Sequence, residues 1–210
     1  AIARFPRDLV KRSQERIIFR RRYGLFYALN FLDGCRMEVF QAFGVFLLVK
    51  QYGIDVQTIT LLLIVSSILN MTLSERVGRL IDALGERRTM TFSYVALFLV
   101  FLGFALVPDR NLAIGLYVVY NFILLFSMGI NTYLKRIATP EDIRGCLAMG
   151  VTTMHISAMV LPPIGGALWV QFGFQAPFLL GAVFIGLSVL VTQRIPKRAP
   201  AVVTATPATA

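Results

Sequence analysis

Six mostly apolar runs alternate with short charged stretches along the chain, at about 23–49, 58–74, 89–107, 112–134, 144–172 and 177–193. A bilayer core about 30 Å thick takes roughly 20 helical residues to cross. The run "TMTFSYVALFLVFLGFALV" at 89–107 carries no charge at all, whereas a buried soluble helix of that length keeps a polar face. The pattern predicts an all-α, polytopic membrane protein with six transmembrane helices. Residues 1–22 are read as a basic lead segment and 194–210, which includes the Pro, Ala and Thr tract "APAVVTATPATA", as a disordered tail.

The placement of positive charge gives an orientation. Lys and Arg number eight in residues 1–22, four in 74–88, three in 135–144 and three from 194 onward, while the alternate connections hold only Lys50 and Arg110. Cytoplasmic loops carry the excess of basic residues, so strict alternation of six crossings puts both termini in the cytoplasm. A multi-pass protein of the cell membrane, plasma or inner, is expected.

Composition narrows the function classes. Of the 210 residues 57% are hydrophobic and 15% charged, with a mean hydropathy of +0.71. A formal net charge of +10 invites a nucleic-acid reading, but the basic residues sit between apolar runs rather than on a soluble face, so no nucleic-acid partner is expected. Cys35 and Cys146 lie in apolar surroundings without metal spacing and read as small buried hydrophobes. No His cluster, GxSxG or ligand spacing is present, so neither an enzyme nor a cofactor or metal is expected. The first 22 residues carry no signal-peptide pattern; the chain is expected to be cut short at its start and to end at a true C-terminus.

The stretch "ERVGRLIDALGERRT" at 75–89, placed between the second and third runs, resembles the signature loop of the major facilitator superfamily of secondary transporters. Gly78, Asp82, Gly85, Arg87 and Arg88 match the pattern; Ala83 stands where the family has Arg, and Glu86 interrupts the basic run. "TPEDIRGCLAMG" at 139–150 and "VLPPIGGALW" from Val160 to Trp169 resemble the fifth helix of a half, with Pro162, Pro163, Gly165 and Gly166 allowing close helix packing. The resemblance implies one half of a twelve-helix transporter, built from two inverted three-helix repeats. The basic lead segment resembles the central loop of such proteins, which makes this the C-terminal half, with an N-terminal six-helix half as its missing partner. It further implies that the loop, with Arg79 and Asp82, gates the cytoplasmic side against that half, and that the helix start around Ile143, Arg144 and Gly145 makes the mirror contact. Arg79, Arg87 and Arg88 are also suited to anionic headgroups.

"NFLDGCRMEVFQAFG" at 30–44 puts Asp33, Arg36 and Glu38 inside an apolar span. A charge at the bilayer centre costs about 2.5–3.5 kcal/mol on insertion scales and faces a bundle interior or wet cavity. Asn30, Asp33, Gly34, Glu38 and Gln41 fall on one broad face, and Arg36 is spaced to pair with Asp33. The resemblance makes this helix and the fourth line a central cavity. On the fourth, Tyr117, Asn121, Met128 and Asn131 recur at helical spacing. Asp33 or Glu38 is expected to carry a coupling proton, and Arg36 to contact an anionic substrate or hold Asp33 ionised; a structural ion pair is the plain alternative. His155 reads as a hydrogen-bonded packing residue and Trp169 as an interfacial anchor. The expected function is proton-coupled alternating-access transport of a small solute. The alternatives are a sensor or assembly subunit with the same fold, or a half that works as a homodimer.

Overall fold

The computed structural model of the chain describes residues 19–106 and 109–196. All regular structure in them is helical. The helices are α1 (Gly24–Lys50), α2 (Val56–Leu84), α3 (Glu86–Leu106), α4 (Arg110–Ile123), α5 (Met128–Ile137), α6 (Pro140–Phe172) and α7 (Gln175–Thr192). A 3-10 turn, Leu124–Ser127, joins α4 to α5 end to end, so the bundle has six rods. Most of the basic lead segment and of the tail expected to be disordered lie outside the described residues.

Five rods are long and apolar enough to cross a membrane: α2, α3, the α4 to α5 rod, α6 and α7. The 27-residue α1 has the length as well, but it carries Asp33, Arg36 and Glu38 in its middle. Each boundary follows local chemistry. Asp55 and Asp109 cap α2 and α4, accepting from the Thr58 and Leu112 backbone N–H groups at 3.1 and 2.8 Å. The Thr58 hydroxyl, and then the Thr58 backbone N–H, hold the Asp55 carboxyl below its ordinary range. Pro140 opens α6 behind Thr139, where its missing N–H costs nothing.

One expectation is corrected. The stretch 74–88, expected as a short loop after a span ending near 74, is mostly helix: α2 continues to Leu84 and a single residue, Gly85, separates it from α3. Val77 and Ile81, one turn apart, are buried against Leu125 and Phe126, while Glu75, Arg76, Arg79 and Asp82 around them are exposed. That makes an amphipathic helix end rather than a loop. Gly85, at φ +82°, then reverses the chain through a conformation that a side chain would strain.

α1 is the central rod, packed along α6 and α7, and α3 lies against α7. α1 and α6 run parallel at close range. Tyr27 reaches Cys146 at 3.4 Å, and Ser157 donates to the Phe31 carbonyl at 3.3 Å and accepts from the Cys35 thiol at 3.4 Å. Gly34 makes this spacing possible, because a Cβ there would stand 2.9 Å from the Met154 Cα. Backbone on the other side leaves no flexible group to yield, so Gly34→Leu is expected to cost about 1–3 kcal/mol and to lower the melting midpoint of the detergent-purified protein. Gly78→Ala, with no atom within 4 Å of the new carbon, should leave that midpoint within error. An unchanged midpoint for Gly34→Leu would show that the two helices are not held this close.

An aromatic cluster fills the middle of the bundle. The Phe40 ring stacks on Tyr120 with centroids 3.4 Å apart and meets Phe104 at 5.6 Å, and Phe104 stacks on Phe178 at 5.5 Å. Such contacts hold α1, α3, α4 and α7 together without needing backbone rearrangement.

Candidate functional site: a charged first helix and a braced basic end

Arg36 is 1% exposed at the centre of α1. Its Nε donates to Asp33 Oδ1 at 3.2 Å, its Nη2 donates to the same oxygen, and its Nη1 donates to the Tyr120 hydroxyl of α4 at 3.2 Å. Its guanidinium carbon also lies 5.8 Å from the Tyr120 ring centroid. Tyr94 of α3 is buried within electrostatic reach of both charges. The i, i+3 spacing places the pair on one side of the helix. Phe40, one turn beyond Arg36, holds the tyrosine face against it. The pair is therefore buried among α1, α3 and α4.

Other residues expected at a cavity are distributed differently. Asn30 is buried and donates to the Phe26 carbonyl at 2.8 Å. Glu38 is half-buried and Gln41 exposed, and neither has a hydrogen-bonding or ionic partner among the described residues. Tyr117 is 2% exposed, stacked near Phe40 at 5.6 Å. Asn121 donates to the Tyr117 carbonyl at 2.8 Å, and its own carbonyl accepts from Asn70 of α2 at 3.2 Å. Met128 and Asn131 are exposed. The expected polar stripe on the fourth rod is thus split, because the 3-10 turn at Leu124–Ser127 changes the angular register between Asn121 and Met128. His155 is exposed on α6, and Trp169 packs on Phe43 and Phe46 with centroids 5.8 and 4.9 Å away.

The end of the bundle that carries the basic connections is tied together by three contacts. Glu86, at the first position of α3, is buried and pairs with Arg136 at the end of α5 over 2.9 Å. Arg87 donates from Nε and Nη2 to Gln193 Oε1 at 3.3 and 2.8 Å, and Gln193 Nε2 donates to the Thr91 hydroxyl at 2.9 Å. Asp142, buried at the start of α6, accepts from Arg20 at 2.8 Å and from the Tyr23 hydroxyl at 2.9 Å. Burial, and then the bond to that carboxylate, push the Tyr23 phenol above its ordinary range.

Glu86 and Asp142 were not singled out from sequence. In the sequence Glu86 interrupts a basic run, but an acid in the first turn of a helix is favoured by the helix dipole, and that is the signal that marks it. Among the residues that were singled out, Gly78 is half-buried, Arg79 lies 3.8 Å from Glu75 one turn back, and Asp82 and Arg88 are exposed without a partner among the described residues. Arg144 is exposed and Gly145 buried. On α6, Gly165 is buried against the Phe43 ring, Pro162 and Gly166 are half-buried, and Pro163 is exposed. Among the described residues no group of His, Cys, Asp and Glu is placed to hold a metal ion.

The family model for the Major Facilitator Superfamily matches residues 19–209 of the chain. Neither the curated proteins nor the solved structures yield a match to it.

Proposed function

Because the chain belongs to the major facilitator superfamily, a family of transporters, we propose that it is the C-terminal six-helix half of a secondary transporter that couples a small solute to protons by alternating access. The observation that carries this reading is Glu38. It has no hydrogen-bonding or ionic partner among the described residues and lies half-exposed on a helix that belongs in hydrocarbon. Lipid does not tolerate such a group, and a water-filled cavity does.

The uncovered helix faces support a second half. Within their most apolar windows only 11% of α2 and 17% of α6 is buried, against 50% of α3. α2 and α6 then form the surface that meets the N-terminal half, and Glu38 and Gln41 look into the space between. Asp82 belongs to the same surface. It stands in the last turn of α2, where the helix dipole disfavours a negative charge, so its favourable contact comes from outside this half. Its counterpart is the start of a helix in the other half, and Arg144 and Gly145 offer the mirror contact. With the basic end in the cytoplasm, the α2 to α3 connection is the inner gate.

The test uses the complete transporter in sealed vesicles with a pH-sensitive dye inside. Adding a transported solute at zero potential is expected to change the lumenal pH. Solute movement without any pH change would remove the proton, and a particle mass equal to two copies of this chain would replace the missing half by a homodimer.

A further inference from the structure

The start of α3 and the ends of α2, α5 and α7 enclose a groove of about 1110 Å³ at the basic end. Its walls include Arg87, Arg88 and Arg136 with one carboxylate, Asp82, and the neighbouring Glu86 is already neutralised by Arg136. With the Arg136–Glu86 pair cancelling, Arg87 and Arg88 outweigh Asp82, and the groove is net positive. Two of the three guanidinium groups are fixed in place: Arg87 by Gln193, itself held by Thr91, and Arg136 by Glu86. Arg87 spends only part of its five N–H donors on Gln193, and Arg136 meets Glu86 as an ion pair that leaves donors open. Arg88 spends none on a described residue.

Planar forks with donors to spare match phosphate oxygens. The surroundings indicate what the phosphate is attached to. Phe92, one turn from Arg88 and 69% exposed, also lines the groove, and Val95 and Leu99 continue its exposed stripe down α3. In a membrane-crossing helix that stripe meets acyl chains. Cationic forks directly above an apolar stripe fit an amphiphile rather than a free ion. We propose that this groove binds the headgroup of an anionic glycerophospholipid, with the phosphate on Arg88 and Arg136 and an acyl chain along Phe92, Val95 and Leu99. Attraction of basic loops to a charged membrane surface is general; this is a discrete site built from the ends of four helices.

Native mass spectrometry of the full transporter titrated with phosphatidylglycerol tests the assignment. The wild type is expected to hold phosphatidylglycerol more tightly than phosphatidylcholine, and Arg88→Gln to weaken the former about tenfold with phosphatidylcholine unchanged. Arg110→Gln, which removes a charge at the opposite end, should leave both alone. Equal affinity for the two lipids in the wild type overturns the proposal, as does equal weakening by Arg88→Gln and Arg110→Gln. Displacement of the lipid by millimolar inorganic phosphate would show that the groove reads a free anion, and that too overturns the lipid.

Discussion

Replacing Arg36 by alanine is expected to destabilise the protein by about 3–5 kcal/mol, enough to remove most of the folded, monodisperse species after extraction in detergent. The reason is what it leaves behind. Asp33 is 6% exposed, and the two donors it receives from a charged group are both from Arg36. The Tyr120 hydroxyl loses its donor in the same step. A buried carboxylate without its counter-charge costs far more than the net worth of the pair, because the pair had already absorbed its desolvation. The double replacement Asp33→Leu with Arg36→Met removes both charges at similar volume and is expected to recover most of the stability. Thermal melting followed by size-exclusion chromatography reads both effects. An Arg36→Ala protein that melts like the wild type would place water or another charge at Asp33 and break the buried-pair description.

That pair also shows what a sequence can and cannot disclose here. Asp33 and Arg36 are three apart in an apolar run, so their pairing is legible from helix geometry alone. Their closure by Tyr120 and Tyr94 is not, because it joins residues brought together only by the packing of α1, α3 and α4. The spans themselves are legible wherever charge is absent, as in α3. They fail at the end of α2, where Glu75, Arg76, Arg79 and Asp82 mask a helix whose signal is the four-residue repeat of Val77 and Ile81. The 3-10 turn at Leu124–Ser127 leaves no mark in "LLFS", which has neither Gly nor Pro. Its effect on the stripe from Tyr117 to Asn131 therefore had to be seen. Partnership with another half is what the family resemblance implies, and the bare faces of α2 and α6 are the surface the proposed partner would cover.

Glu38→Gln is expected to abolish proton-driven accumulation of the solute while leaving exchange of solute across the vesicle membrane. Of the two acids on α1, Asp33 is already compensated inside the bundle by Arg36, and protonating it would leave the guanidinium unpaired. Glu38 has no described partner to lose, and its half-exposed position makes it the acid to which the proposed proton coupling is assigned. Glutamine keeps the size and the hydrogen-bonding ability of the protonated acid but cannot ionise. The variant therefore stays in the equivalent of the loaded form: counterflow continues, uphill transport stops, and the rate becomes independent of pH across the range where the wild type responds. The stability of the fold should not move, because no ion pair is broken, and this separates the change from Arg36→Ala. A Glu38→Gln protein that still accumulates solute with unchanged pH dependence would take the coupling role away from Glu38.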